Sequence, residues 1–539
     1  MQDINTSALS RRGFIGGAAA VAAGALAAGM AGCAPQTPAD NQMAATGSNA
    51  GLPETWDWEA DVIVVGAGGA GHMAAIAAVE EGGSAIMFEK MSSPMGDTAV
   101  CACEMCGPWP ARTKADSGEE DTIEQYMEDW KNSAKWSTKT YITGEEFDGE
   151  RVLTQREIEL CPDTFQWLQD EAGVQWTTFY DSSWDPQPKW ETVKPRNWKA
   201  NETRLIPPLV AKAADLGIET VFDTPANQLL LDENGRVVGI RLYSSSKGIV
   251  HAKANKAVVV TTGSFMREGS MVSTYAPDLI YSMAGCSPGA SGDGHKMVRD
   301  IGGAWTSMDH GFRWAPVEAG VYSQAMMGSW FYCGITKPQV PGIFINLEGK
   351  RYAAESIGYS FSAYEIYQQP FHLAYWVVDS VGAENTHLFE SHDVSTAGSD
   401  TGSPMILCQA DTIEELAVKM NVDPATLKSE VDRYNGFVAK GVDEDFGKVM
   451  DGTTPIEVGP FYALLEAPAP YNTYDGIQTD VDSHVLDVRG EVIPGLYAAG
   501  SCCGSYAEQE GLYYTGGVVQ AMCFGRQAGK NAMAEEAQA

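Results

Sequence analysis

The chain has 539 residues, 44% of them apolar, and Asp plus Glu exceed Lys plus Arg by 71 to 36, a formal charge of −35. That length is too great for one core and implies two domains sharing interleaved segments. So acidic a balance argues against nucleic acid and against an anionic membrane face; it suits a basic redox partner or, equally, solubility outside the cell.

The first 33 residues read as an export leader. Ser10-Arg11-Arg12-Gly13-Phe14-Ile15 is a twin-arginine pattern ahead of an Ala/Gly-rich apolar stretch ending at Gly32. The alternative is a transmembrane anchor, which so much Ala and Gly disfavours. Met30-Ala31-Gly32-Cys33 has the form of a lipobox. Cys33 would then be the lipidated N-terminus, residues 34–56 a flexible tether, and the extracytoplasmic face of a bacterial membrane the destination. Twin-arginine export carries folded proteins, which suits an enzyme that loads a cofactor before it leaves.

Asp61 to Lys90 then sets the organisation. An apolar run, Val62 to Val65, enters Gly66, Gly68 and Gly71 in G-x-G-x-x-G spacing, an Ala-rich helical stretch follows, and a second apolar run ends at Glu89. Gly66 permits the tight turn, Gly68 lets the backbone approach a pyrophosphate, and Gly71 lets helix and strand pack closely. The N–H groups at the helix start face the phosphates. Glu89, 21 residues after Gly68, is placed to take adenosine ribose hydroxyls. Strand, helix, strand and acid in register make this a dinucleotide site.

Eleven cysteines follow in part from the leader, which accounts for Cys33. Cys101, Cys103 and Cys106 form one group and Cys502 and Cys503 another. Neither a C-x-x-C-H haem motif nor a ferredoxin run is present. An iron–sulfur cluster built from the two groups stands against buried free thiols, the plainer reading; no metal ligands are assigned.

Asp121 to Val174 and Thr203 to Leu216 read as helices. Thr220 to Phe222, Gln228 to Leu231 and Val237 to Tyr243 read as a β-meander, and Lys256 to Thr262 as a buried parallel strand returning to the cofactor. From Thr274 to about Gln409 the composition turns aromatic and Gly/Met-rich, which marks a second domain. Asp411 to Gly441 is helical with a joint at Val422-Asp423-Pro424, and the chain closes with a small-residue strand, Gly495 to Gly500, and a helix opened by Gly516-Gly517.

VVGAGGAG, the Glu89-Lys90 pair, TTGSF, PGASGDGHKM, FINLEGKRYAAES, the helical DTIEELAVKMNVDPATLKSEVDRYN and GLYAAG…GG…FGRQAG stand in the order of one known family. From Asp61 to Ala532 the chain resembles the flavoprotein subunits of fumarate reductases and succinate dehydrogenases, most nearly the soluble exported branch with urocanate reductases and 3-ketosteroid dehydrogenases. The resemblance implies an α/β fold with a Rossmann-like FAD-binding domain, residues 57–273 and 411–539, and an inserted α+β capping domain, residues 274–410. It implies non-covalent FAD, with contacts at Gly66, Gly68, Gly69, Ala70, Gly71, Glu89, Lys90, Gly96, Asp97, Thr98, Ala99, Ala226, Thr262, Gly263, Asp293, Thr473, Ser501 and Gly517. At one of these the chain departs from the family, having Ser501 where Glu is usual, followed by Cys502-Cys503.

The family holds a dicarboxylate with two His and an Arg, and a second Arg supplies the proton. Carried onto this sequence, the proton donor falls on Tyr359, four residues past Glu355, and the carboxylate-binding Arg on Tyr514, two before Gly516. The His positions fall on Trp314 and Asn472, with Tyr471 beside the latter; of the family's proton relay before Pro341 only Lys337 is near. Tyr, Trp and Asn do not offset the desolvation of two carboxylates, but they stack on rings and hydrogen-bond a carbonyl.

Fumarate is therefore disfavoured, and the resemblance implies hydride transfer from flavin N5 to the activated C=C of a bulky aromatic or enone-type substrate. Tyr359 is the expected proton donor, Tyr514 and Tyr471 the polarising groups, and Trp314, Asn472 and Tyr513 the substrate contacts. Electrons would come from a separate donor, a multihaem cytochrome or quinol-linked partner. The alternatives are a ketosteroid-type dehydrogenase running the reverse desaturation and a flavoprotein that only relays electrons.

Overall fold

The computed structural model describes residues 52–101, 103–134, 152–178, 196–200, 203–277, 285–306, 312–318, 341–355, 359–385, 407–473, 475–504 and 517–537. Among these residues no helix is long and apolar enough to cross a membrane. Cys33, Lys337, Tyr513, Tyr514 and Gly516 lie outside them.

The first sheet has eight strands around Trp58–Val65. Ala85–Phe88 runs parallel on one side and Gly248–Val260 parallel on the other, as expected of buried Val/Ile-rich runs in a doubly wound sheet. Glu219–Val221 extends the sheet beyond Ala85–Phe88, and Val492–Ala498 extends it beyond Gly248–Val260. Ala226–Leu231 and Val237–Ser244 form a hairpin that leads antiparallel into the first half of Gly248–Val260. The meander thus comprises residues 226–260, and the run at 220 belongs instead to the parallel sheet. Its alternation could not separate the two because both bury one face.

Helix Gly69–Glu80 is buried almost throughout and packs against the last helix, Val518–Ala534. A Cβ at Gly525 would stand 2.5 Å from the Ala70 carbonyl oxygen and one at Gly529 2.1 Å from that of Ala74, so only glycine allows this approach. The C-terminal segment is thereby fixed behind the G-x-G-x-x-G turn.

The second sheet is antiparallel. Phe461–Thr473 is its long central strand, with Ala374–Val378 on one edge, Phe312–Glu318 and Leu407–Ala410 in succession on the other, and Ile343–Asn346 outermost. Helices Ile413–Met420 and Pro424–Lys440 bury Leu416, Leu427, Val431 and Tyr434 against this sheet. Asn421 in the left-handed region ends the first, and the Asp423 carboxylate caps the second by accepting from Thr426 N at 2.8 Å.

By packing, the 411–441 segment shares a core with the second sheet. The 411–441 helices were legible as helices, but which core they cover is a long-range matter. Helix Asp293–Asp300 packs on the first core through Met297 and Val298, and among the described residues the second sheet's first strand is Phe312–Glu318.

Candidate active site

One cleft opens at the carboxyl ends of the parallel strands, where ligands sit in open α/β sheets, and encloses with its mouth about 790 Å³. Its floor is the turn after Trp58–Val65. Gly66 has φ +104°, and a Cβ there would meet the Thr261 carbonyl oxygen at 2.5 Å. A Cβ on Gly71 would lie 1.9 Å from the Gly66 oxygen, which makes this crossing of turn and helix possible for glycine alone. Thr261 ties the turn down, its hydroxyl donating to the Val65 and Gly66 carbonyls at 2.9 Å. No side chain caps the start of helix Gly69–Glu80 and no acid stands in its first turn, so its N–H groups face the cleft, ready for an anion.

Glu89 is 7% exposed and spans two loops: Oε2 accepts from Ala67 N at 2.9 Å and Oε1 from Met91 N at 2.8 Å. It shapes the turn as well as facing the cleft, and each oxygen keeps a lone pair for a hydroxyl. Lys90 pairs with Asp293 at 2.8 Å and also donates to Ser291. Those two residues hold each other on the cleft wall.

Asp97 opens the short helix Asp97–Val100 and accepts from Ser287 N at 2.5 Å. Burial pushes its carboxyl up to about 6, against the Ser287 N–H and the Arg267 guanidinium. Arg267 holds the loop opposite by donating to the Cys286 and Ser287 carbonyls at 3.0 and 3.2 Å.

Of the residues expected at the cofactor, Gly66, Gly68, Gly69, Ala70, Glu89, Lys90, Gly96, Asp97, Thr98, Ala226, Thr262, Gly263, Asp293 and Ser501 line the cleft. Gly71 supports it from behind; Ala99, Thr473 and Gly517 are not among its lining residues. Sequence reasoning did not find Met91, Met95, Ser287, Gly289 or Ala290. PGASGDG carried Gly289 and Ala290, with Ser287 just before it, but only the fold brings that segment over Asp97.

The fit to a flavin dinucleotide is direct. Uncapped helix N–H groups suit a pyrophosphate, and Gly68 and Gly96 meet so closely that a Cβ on Gly96 would be 3.0 Å from the Gly68 Cα. Left-handed Gly263 fronts open space that a bound group can enter. Among the described residues no cluster of three or more His, Cys, Asp or Glu could hold a metal ion.

The capping residues converge on the second sheet. Arg313 pairs with Asn472 and Trp314 with Pro470, which leaves Tyr471 as the extra residue of a β-bulge. Asn472 is buried, and its Oδ1 accepts from Thr473 N at 2.8 Å. Tyr359 begins helix Tyr359–Tyr367, which packs on both Phe312–Glu318 and Phe461–Thr473. Trp314, Tyr471, Asn472 and Tyr359 thus stand on three elements in mutual contact, while Tyr513 and Tyr514 lie outside the described residues.

A family model described as FAD binding domain matches residues 61–517. The urocanate reductase of Eggerthella lenta is 28% identical over 489 residues, 89% of this chain and 76% of that one. The digoxin reductase of the same organism is 26% identical over 579 residues and aligns nearly end to end, 98% and 97%. Among solved structures, the 3-ketosteroid-Δ4-(5α)-dehydrogenase of Rhodococcus jostii is 25% identical at a TM-score of 0.67, over 89% of this chain and 98% of that one. Fumarate reductases recur among the further relatives.

Proposed function

The chain belongs to the FAD binding domain family and is an FAD-dependent oxidoreductase of the class acting on CH–CH bonds; on that premise we propose that it reduces the activated C=C bond of a bulky aromatic or enone-type substrate and not fumarate. One observation carries this reading. At the positions where the family carries His and Arg this sequence has Trp314, Asn472 and Tyr359, with Tyr471 beside them, and the strands and helix that carry them pack on one another, which supports the reading.

Bound FAD supplies the hydride. The helix start at Gly69 would hold its pyrophosphate, Glu89 its ribose, and the Gly96–Thr98 turn with Gly263 its ring end. Tyr359 gives the proton to the neighbouring carbon, and Tyr471 and Tyr514 polarise the carbonyl that activates the alkene. Trp314, Asn472 and Tyr513 hold an uncharged ring system by stacking and hydrogen bonding. The reverse desaturation of a ketosteroid is the second reading, favoured by the Rhodococcus dehydrogenase, which was solved with 4-androstene-3,17-dione. FAD is held non-covalently. A separate cytochrome or quinol-linked donor supplies electrons, its docking aided by the −35 charge. The twin-arginine and lipobox motifs support export and anchoring through Cys33.

Tyr359→Phe tests the assignment. Its reduced flavin should be reoxidised by an enone at least ~100-fold more slowly than the parent's, with the Kd for FAD changed less than about 2-fold. An unchanged reoxidation rate would remove Tyr359 from the reaction.

A further inference from the structure

Two cysteine pairs bring their sulfurs to the same separation, 3.9 Å, in different settings. Cys502 and Cys503 are 0% and 1% exposed in the first core, and Cys502 Sγ donates to the Val260 and Ala499 carbonyls at 3.3 Å each. Cys101 is half-buried at the end of the Asp97–Val100 turn, and Cys103 behind it is 1% exposed.

From this contrast we infer that Cys101 and Cys103 form a reversible dithiol–disulfide modification site that controls how firmly the Asp97–Val100 turn holds the cofactor. The pair is already arranged for closure. Cys103 lies in the left-handed region at φ +59°, and its N–H donates to Cys101 Sγ at 3.3 Å. Cys101 Sγ donates to the Thr98 carbonyl at 3.2 Å, and Thr98 lines the cleft. Arg204 reaches over the pair and donates to the Cys101 carbonyl at 2.6 Å and the Ala99 carbonyl at 3.3 Å. The hydrogen bond from Cys101 draws the Cys103 thiol down to about 7 against its burial, with Arg204 and Lys199 adding to the pull.

The chemistry balances with an external disulfide as oxidant. Cys101 is the less buried residue, and its thiol is held well above the usual range by its hydrogen bond to Cys103 and by burial. It passes its proton to the Cys103 thiolate as it attacks the disulfide, forming a mixed disulfide and expelling one thiolate, and Cys103 then releases that proton to solvent. The Cys103 thiolate then attacks Cys101 Sγ and expels the second. The pair is oxidised by two electrons and the external disulfide is reduced to two thiols. Closure from 3.9 Å to the ~2.05 Å of an S–S bond withdraws Cys101 Sγ from the Thr98 carbonyl, so the turn loses a tie on the cleft side.

The test uses the FAD-loaded chain and oxidised glutathione under anaerobic conditions, with alkylation, peptide mapping and flavin fluorescence as readouts. The peptide spanning 101–103 should lose two hydrogens and both alkylation sites at least ~10-fold faster than the 502–503 peptide, and dithiothreitol should restore both. Flavin release should be about 10-fold faster from the oxidised chain. In Cys103→Ser, glutathione should stay on Cys101 as a stable adduct; in Cys101→Ser, Cys103 should remain unmodified. Two thiols still alkylatable after oxidant, a crosslink to Cys106, iron and sulfide bound at the pair, or flavin release that does not change would each overturn the inference.

Discussion

Behind the capping sheet, the Arg351 guanidinium lies between Glu355 and Asp443, 2.8 Å from each, and Lys448 reaches Glu355 at 3.2 Å, Tyr434 Oη at 3.0 Å and the Gly342 carbonyl at 2.9 Å. Below the cofactor cleft, His295 is just as buried, yet neither ring nitrogen has a hydrogen-bond partner among the described residues, nor do Ser264 Oγ and Trp305 Nε1 nearby in sequence and packing. In the first region each charge is met by an opposite one, and Glu355, Asp443 and Lys448 also by backbone, which offsets the cost of burial and fixes the second core. In the second, polar atoms stay open in an aromatic surround of Phe265 and Trp305, a cost a chain keeps where a site has to be shaped. The difference lies between buried polarity that closes on itself and fixes a core, and buried polarity beside the cleft that, among the described residues, does not.

Glu355→Gln should break the closed network most severely. One carboxylate is lost while Arg351 and Lys448 stay buried, so the capping unit should lose about 3–5 kcal/mol, measurable by denaturant unfolding, with FAD affinity unchanged. Gly71→Ala should do the converse. Its Cβ meets the Gly66 oxygen at 1.9 Å, and FAD affinity should fall ~100-fold or more by fluorescence titration, with the capping unit's unfolding midpoint unmoved.

His295→Leu probes the open side through pH. Burial lowers the ring to about 3, so between 6.5 and 3 the unfolded chain binds more protons than the native one and stability falls as pH falls. Leu removes that proton uptake, and the variant should exceed the parent by about 2 kcal/mol at pH 4.5 while losing that margin towards pH 7. Asp97→Asn carries the opposite sign and the smallest effect. Because burial raises Asp97 to about 6, the native form binds more protons between 4 and 6, and stability falls as pH rises through that window. Asn still accepts from Ser287 N, so without cofactor the variant should be about 1 kcal/mol more stable at pH 7, after allowance for solvent in the cleft, and equal to the parent at pH 4.

Much of the cofactor half was legible because its requirements are local. A turn at φ +104° and a 1.9 Å crossing leave only glycine at Gly66 and Gly71, and the spacing to Glu89 is set by one strand–helix–strand unit. The family match, the fold and the FAD-dependent class agree with what those motifs implied. What escaped is long-range: Ser287 against Asp97 spans 190 residues, and the 411–441 helices show an apolar face without saying that the capping sheet covers it. The Tyr471 bulge is a matter of pairing register with Arg313 and Trp314, which no periodicity in either strand encodes.

The most direct measurement is anaerobic reoxidation of the reduced, FAD-loaded chain against fumarate, urocanate, cinnamates, enone steroids and unsaturated lactones. Rapid reoxidation by one aromatic or enone compound, with fumarate inert, is the result expected if the proposed residues Tyr359, Tyr471, Trp314 and Asn472 form the substrate site. Reoxidation by fumarate at a comparable rate would contradict it.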